Sequence, residues 1–475
     1  MAVCVPLSFL KDEHMKVIIS FLTFEAKDTY FSKKETPVGF SAYKVEVHHS
    51  QKVVILPFFF GLVFCQRYGF PAIMSRYRPL EQHLIVPRIS ITNNMTFRDD
   101  QEIVVKEALS NLMTYRCTLL QLHPGYGKTA LASYITKVIS MVTLVVVHRT
   151  FLAEQFTKTF NRYTNAKLCF IDGGTIDMNA DVFICMITSI HKVPNEVFAK
   201  IGLLVVDEAH CQATQIRVSG LMNLDTKYML FLTATPNLMN GMGNVLKAFV
   251  GESRVIRKFK RPFDVYAIST NVDPVVESTG FQGKMNFDKY KKSLFYNEEM
   301  NKFVTYSVVK NQGRKILILT GEKKHVDLLG DMIGAQGLRY SKFYGSQNTH
   351  EDAPILLGST SKISVGYDSE NLATKYDGIK IDLLYLLVSY RDPNVLEQTI
   401  GRVLRSNGPA VIYFINNAGV SEAHSKVLRK WAREMPVTIH DIEKNLTPNS
   451  RDMNEVDRFL NDKNAPVIVS PSVII

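Results

Sequence analysis

The stretch Leu119-Leu-Gln-Leu-His-Pro-Gly-Tyr-Gly-Lys-Thr-Ala130 decides the fold of this chain. Its first four residues predict a buried strand, and the glycine-rich turn that follows leads into a helix. Such an order brings backbone N–H groups and the positive end of a helix against phosphate oxygens. We therefore predict a phosphate-binding loop, although the full pattern has a glycine where Leu122 stands, and a plain glycine-rich turn is the alternative.

A second apolar run ends in two adjacent carboxylates. The run Leu203-Leu-Val-Val-Asp-Glu-Ala-His210 predicts a strand buried on both faces of a parallel sheet, with its acidic end where such sheets bind ligands. We expect Asp207 to hold Mg²⁺ and Glu208 to orient and deprotonate an attacking water. By itself the pair could be a solvated strand end, but downstream of Gly-Lys-Thr it indicates a nucleoside-triphosphate hydrolase.

A third motif, Gln398-Thr-Ile-Gly-Arg-Val-Leu-Arg405, has its polar residues at helical spacing. Gln398, Arg402 and Arg405 share one helix face because they stand four and three residues apart. They could belong to an ordinary surface helix. Two guanidiniums on one face can also neutralise a transferring phosphoryl group, which they would reach only across an interface with a second domain.

Four motifs in this order resemble those of the superfamily 2 helicases of the DEAH-box type. They are Gly-x-Gly-Lys-Thr, Asp-Glu-Ala-His, Thr233-Ala-Thr-Pro236 and Gln-x-x-Gly-Arg-x-x-Arg. The text from Thr233 to Gly251 is similar to the helicases of large nucleocytoplasmic DNA viruses (poxvirus, iridovirus, asfarvirus) and to XPB-like helicases. The resemblance covers roughly residues 94–420. It implies two RecA-like domains that close on ATP and Mg²⁺ and move nucleic acid stepwise.

The resemblance also assigns roles to single residues. The residues expected to bind ATP are Gln101, Pro124, Gly125, Tyr126, Gly127, Lys128, Thr129, Ala130, Gly366 and Asp368. The expected catalytic residues are Lys128, Asp207, Glu208, Gln398, Arg402 and Arg405. The expected Mg²⁺ ligands are Thr129, Asp207 and Glu208. The residues expected to couple ATP hydrolysis to nucleic-acid contact are His210, Thr233 and Thr235. The expected nucleic-acid contacts are His148, Arg149, Thr188, Ser189 and Thr360.

Apolar strand-like runs alternate with helical stretches, which predicts an α/β protein with parallel sheets. We predict two tandem RecA-like domains with a small N-terminal accessory module. The predicted divisions are an N-terminal module over 1–93, a first domain over 94–253, a linker over 254–267, a second domain over 268–440 and a C-terminal tail over 441–475.

Composition narrows the class of protein. The net charge of +11 and sequence pI of about 9.1 suit a polyanionic partner, although many soluble proteins are mildly basic. Six scattered cysteines indicate free thiols in a reducing, intracellular compartment and argue against an iron–sulfur cluster. The sequence shows neither a long uncharged apolar run nor a signal peptide, so we expect no membrane association.

These observations predict an ATP-dependent nucleic-acid helicase or translocase that acts as a monomer. DNA is favoured over RNA, in transcription, replication or repair of the viral type, with that machinery as a candidate partner. A viral protein of this kind would work in the host cytoplasm or nucleus and could enter the virion. Two alternatives stay open, a double-strand DNA translocase that does not unwind and an RNA helicase. A scaffold with an inactive ATPase fold is disfavoured, because every catalytic position holds a chemically competent residue.

Overall fold

The structure is a computed structural model with two compact units, residues 1–257 and 258–475. The residues it describes are 2–25, 39–48, 50–71, 89–90, 95–98, 100–209, 215–222, 224, 226–234, 243–259, 262–275, 278–279, 284–363, 367, 369–388, 390, 393–401, 410–416 and 420–461.

The N-terminal residues form a small antiparallel sheet. Its elements, with a flanking two-stranded ribbon, are β1 (Ala2–Pro6), α1 (Asp12–Leu22), β2 (Thr23–Glu25), β3 (Gly39–Ser41), β4 (Lys44–His48), β5 (Gln51–Pro57) and α2 (Phe58–Tyr68). The strands pair in the order β1–β5–β4, and β2 pairs with β3. This part shares one hydrophobic core with the following residues and belongs to the same compact unit.

The first unit continues with a parallel sheet of seven described strands. The elements of this part are α3 (Gln101–Tyr115), β6 (Cys117–Leu122), α4 (Lys128–Ile139), β7 (Thr143–Val147), α5 (Thr150–Tyr163), β8 (Leu168–Ile171), β9 (Val182–Met186), α6 (Asn195–Phe198), β10 (Leu203–Val206), α7 (Gln215–Met222), β11 (Tyr228–Thr233), α8 (Gly243–Val250) and β12 (Arg254–Arg257). The strand order is β12–β6–β11–β10–β7–β9–β8, with every pairing parallel. The carboxyl ends of β6, β11 and β10 are therefore adjacent at one edge.

Close packing joins the N-terminal part to this sheet. Helices α2 and α8 pack together, and the ring of Phe59 lies against Gly251. Gly251 has a φ of +58°, and a Cβ there would lie 2.4 Å from the Phe59 ring. Glycine at position 251 thus allows the left-handed backbone conformation and also the close approach of the Phe59 ring.

The second unit contains another parallel sheet of seven described strands. Its elements are β13 (Phe263–Thr270), β14 (Ser278–Thr279), β15 (Lys284–Met285), α9 (Phe287–Phe295), α10 (Glu298–Lys310), β16 (Ile316–Thr320), α11 (Lys323–Ala335), β17 (Tyr340–Phe343), β18 (His350–Glu351), β19 (Ile355–Ser359), α12 (Thr360–Ile363), α13 (Ser369–Leu372), β20 (Ala373–Thr374), β21 (Leu383–Leu386), α14 (Pro393–Ile400), β22 (Ala410–Asn416), α15 (Val420–Ala432), β23 (Val437–Lys444) and α16 (Arg451–Asn461). The order is β17–β19–β16–β21–β22–β13–β23.

Both faces of this second sheet are covered. Ile316 and Ile318 of β16 belong to one buried cluster, whereas Leu317 and Leu319 belong to another. Alternate side chains of one strand thus enter different cores, as expected for a parallel sheet between two helical layers. The predicted α/β class with two parallel-sheet domains is confirmed.

Two predicted boundaries differ from the structure. The predicted linker, 254–267, is filled at both ends by strands, because β12 pairs with β6 and β13 pairs with β22. The predicted tail from 441 begins inside β23, which pairs with β13. Part of that tail also folds as α16, which packs on α10 and buries Met453 and Val456.

Candidate nucleotide-binding site

The loop between β6 and α4 has the backbone of a phosphate cradle. Gly125 and Gly127 have φ values of +80° and +99°, a region that residues with a Cβ rarely adopt. Lys128 begins α4, and its Nζ donates a hydrogen bond to the Leu122 carbonyl at 3.1 Å. The ammonium group therefore folds back over the strand end, next to the N–H groups that open the helix.

Gln101, the first residue of α3, fastens this loop. Its Nε2 donates to the Tyr126 carbonyl at 2.5 Å, and its Oε1 accepts from the Arg98 N–H at 2.8 Å. The side chain is only 6% exposed, and a Cβ on Gly127 would lie 2.8 Å from its Nε2. The residue predicted to read adenine thus also determines the shape of the phosphate loop.

A polar network that the sequence reasoning missed surrounds Tyr126. The Asp100 carboxylate accepts hydrogen bonds from the Tyr126 hydroxyl and the Arg257 guanidinium, which also donates to Glu107 at 3.0 Å. Burial raises the pKa of Asp100, but these two donors outweigh it and hold the pKa below its usual value. The Arg257 carbonyl in turn accepts from the His123 N–H at 3.2 Å.

The network includes part of a basic run in the sequence, residues 254–261. Arg257 is neutralised by two carboxylates, and its side chain is only 18% exposed. Arg254 and Lys258 also contact acidic partners, Glu252 and Glu434 respectively.

The predicted acidic residues lie at the carboxyl edge of the same sheet. Asp207 follows β10, is 6% exposed, and its N–H continues the ladder to the Val146 carbonyl at 2.9 Å. Glu208 has a φ of +43°, which costs a non-glycine residue roughly 1–2 kcal/mol. Thr233, fully buried, ends the intervening strand β11. Backbone strain at this end of β10 is typical of functional sites.

The chemistry of these donors fits Mg²⁺. Thr129 and Asp207 would offer a hydroxyl and a carboxylate, the hard oxygen ligands that this ion prefers. Among the residues that the structure describes, no three histidine, cysteine, aspartate or glutamate side chains cluster closely enough to hold a metal.

The predicted nucleic-acid contacts of the first unit directly follow two neighbouring strands. His148 and Arg149 follow β7, while Thr188 and Ser189 lie in a short 3₁₀ helix, Ile187–Lys192, directly after β9. Arg149 and Thr188 are exposed, and β7 pairs with β9. In the second unit Thr360 begins α12, directly after β19.

Several predicted site residues lie outside the described residues. They are His210, Thr235, Gly366, Asp368, Arg402 and Arg405. Gln398 lies within the helix α14, but its side chain is not described.

The chain is similar to known helicases in sequence. Residues 94–238 match the family described as "Type III restriction enzyme, res subunit". "Putative helicase 161L" of Invertebrate iridescent virus 6 is 23% identical over 369 residues, covering 71% of this chain and 81% of that protein. These matches confirm the predicted resemblance to superfamily 2 helicases.

Two other relatives differ in the nucleic acid that their names give. "Putative ATP-dependent RNA helicase L396" of Acanthamoeba polyphaga mimivirus is 24% identical over 340 residues, 67% of this chain and 63% of that protein. "DNA 3'-5' translocase XPB2" of Sulfurisphaera tokodaii is 22% identical over 262 residues, 51% of this chain and 60% of that protein. Nucleotide use is common to this helicase family.

A solved structure supports the fold. A variant of S. cerevisiae Dbp5 bound to Gle1 and IP6 matches this chain with a TM-score of 0.50 and 16% identity, over 77% of this chain and 93% of that one. Within the described residues, no helix combines the length and apolar character needed to cross a membrane.

Proposed function

We propose that this helicase is an ATP-driven motor on DNA, in transcription, replication or repair of the viral type. The observation that carries the proposal is the cradle itself. Two left-handed glycines and Lys128 lie at the same sheet edge as the buried Asp207 and the strained Glu208. This edge is where parallel sheets bind ligands, and the residue types there match phosphate and metal chemistry.

Each residue at the cradle has a distinct part in the proposal. The backbone from Pro124 to Ala130 binds the phosphates, Lys128 places a positive charge next to them, and Gln101 binds the adenine. Thr129 and Asp207 hold Mg²⁺, which neutralises phosphate charge when bound. Glu208 orients and deprotonates the attacking water.

The second domain completes the proposed site. Arg402 and Arg405 neutralise charge that develops in the transition state, and such a guanidinium is worth roughly 10³–10⁵ in rate. Gln398, Gly366 and Asp368 are proposed to contact the nucleotide from the same domain. His210, Thr233 and Thr235 are proposed to transmit the state of the nucleotide to the nucleic-acid contacts.

The track is proposed to follow the carboxyl edges of the two sheets. His148, Arg149, Thr188, Ser189 and Thr360 would contact its backbone. Backbone contacts do not distinguish DNA from RNA. DNA is proposed because of the resemblance to helicases of large DNA viruses, whereas the mimivirus relative's name supports the RNA alternative.

We further propose a monomer that works inside the cell, with the transcription or replication machinery as partner. The reducing compartment rests on four buried thiols that form no disulfide bond within the described residues, those of Cys65, Cys117, Cys169 and Cys185. Burial raises the pKa of Cys117 and Cys185 to about 12, so these thiols stay protonated and unreactive.

The test measures ATP hydrolysis by the intact chain with single-stranded DNA, double-stranded DNA and RNA. We expect hydrolysis to be stimulated most by DNA and abolished in Lys128→Ala, with the unfolding free energy lowered only by about 0.5–1.5 kcal/mol, the contribution of the hydrogen bond to the Leu122 carbonyl. Strand-displacement and triplex-displacement assays then separate unwinding from translocation alone. Hydrolysis at the parent rate in Lys128→Ala would show that the cradle does not bind the reacting phosphates.

A further inference from the structure

An apolar cavity of about 270 Å³ lies at the carboxyl edge of the second sheet. Gly321, Thr360 and Leu387, which follow β16, β19 and β21, form one side of it. Residues of α9 and α10 form the other side. Ligands bind preferentially at this edge of parallel sheets, and nothing in the proposed ATP chemistry uses the cavity.

Aromatic rings provide much of its wall. Phe287 and Tyr290 of α9 stack with centroids 5.8 Å apart and planes 11° from parallel. Deeper in, Phe295 stacks on the His325 ring at 5.0 Å and 24°. A cavity lined by several aromatic side chains favours a flat, apolar-faced guest.

The buried polar side chains of the cavity are paired with one another. The two ring nitrogens of His325 hydrogen-bond to Thr320 Oγ1 at 2.6 Å and to Asn301 Oδ1 at 2.9 Å. Asn301 Nδ2 donates to the Phe295 carbonyl at 2.9 Å. Burial lowers the pKa of His325 to about 4, so the ring is neutral at pH 7. The side chain of His325 therefore contributes no charge to the cavity.

A cation stands at the rim. The Lys291 ammonium lies 3.0 Å from Asp288 Oδ1 and 5.2 Å from the Phe287 ring centre, and its side chain is 41% exposed. An exposed ion pair of this kind is worth little in water, so the lysine can exchange Asp288 for a phosphate. Thr360, a predicted nucleic-acid contact, lines the same cavity.

We propose that this cavity receives one unstacked base of a single-stranded nucleic acid, with Lys291 on an adjacent phosphate. The proposal rests on the proposed function, because it places the cavity beside the motor's track. A nucleobase in a strand combines a flat apolar face with a negatively charged neighbour, and the aromatic lining and rim lysine match both parts. An apolar peptide would fill the cavity but would bring no negative charge to Lys291.

The experiment compares oligothymidylate of about twelve nucleotides with an abasic strand of equal length and charge. The intact chain should prefer the strand with bases. Phe287→Ala, which removes a wall ring, should reduce that preference by roughly fivefold to 150-fold. Met300→Trp, which fills the cavity without removing a ring, should reduce it as well. Phe170→Ala, at a 36% exposed phenylalanine of the first unit, is the matched control and should leave it unchanged.

The outcomes separate this inference from the proposed function. DNA-stimulated ATP hydrolysis together with equal affinity for both strands would overturn the cavity proposal alone. Loss of that stimulation in the parent would overturn the proposed function. Oligouridylate serves as the second arm and distinguishes DNA from RNA as the source of the base. Loss of the base preference in the presence of saturating adenosine would assign the cavity to a free nucleoside. A base preference that appears only in a chain ending at residue 461 would assign the cavity to the chain's own C-terminal segment.

Discussion

Replacing Gly127 by alanine perturbs the phosphate loop at its most constrained point. The φ of +99° costs a residue with a Cβ roughly 1–2 kcal/mol. The new Cβ would also lie 2.8 Å from Gln101 Nε2, which donates to the Tyr126 carbonyl. Losing that hydrogen bond costs a further ~0.5–1.5 kcal/mol. In the absence of ATP, the loop of the variant can avoid both costs by changing its conformation. ATP binding requires the cradle conformation again, so both costs reduce the affinity for ATP.

We therefore expect Gly127→Ala to weaken ATP binding by roughly 10-fold to several hundred-fold. Titration with a fluorescent ATP analogue measures this change, and urea unfolding measures stability. The matched control is Gly69→Ala, since Gly69 has a φ of +68° and an added Cβ there would have no heavy atom of the other described residues within 4 Å. The control should lose stability but keep ATP affinity. Parent-like ATP affinity in Gly127→Ala would refute the cradle geometry.

Three further predictions concern the residues around the loop and the track. Tyr126→Phe removes one hydrogen-bond donor from Asp100. Burial raises the pKa of Asp100, but the hydrogen bonds from Tyr126 and Arg257 lower it more strongly. The stabilisation by these donors is therefore present above about pH 4 and is lost as pH falls through the native pKa, so urea unfolding should show a loss of stability at pH 7 that shrinks in acid. Arg149→Ala should reduce the slope of log affinity against log salt for DNA by about 1, whereas Arg257→Ala should leave that slope unchanged, because its guanidinium is already paired. Glu208→Gln should keep ATP binding and lose turnover, and nucleotide retention on the protein checks it; parent-like turnover would remove the water-activating role.

Sequence periodicity predicted the sheets well where strands are buried on both faces. Strands such as β7 and β10 are continuous aliphatic runs, and burial at the sheet centre requires that composition. Edge strands were missed for the same reason. The sequence of β23 is Val-Thr-Ile-His-Asp-Ile-Glu-Lys, and half of it is polar. The strand resembles a polar C-terminal tail because it lies at the edge of the sheet, where one of its sides has no described partner strand.

The candidate site was predictable where one residue type meets one chemical need. Glycines at positive φ and a lysine at the helix start could be predicted from spacing. The Asp100–Arg257 contact could not, because the two residues are 157 positions apart and meet only through the pairing of β12 with β6.

The most direct test of the central claim is the rate of ATP hydrolysis by the intact chain, measured with and without single-stranded DNA and repeated in Arg405→Ala. The account predicts stimulation by DNA in the parent. In Arg405→Ala it predicts nearly intact ATP binding with turnover reduced by orders of magnitude, because that guanidinium acts on charge developing in the transition state. DNA-stimulated hydrolysis at the parent rate in Arg405→Ala would contradict the two-domain motor.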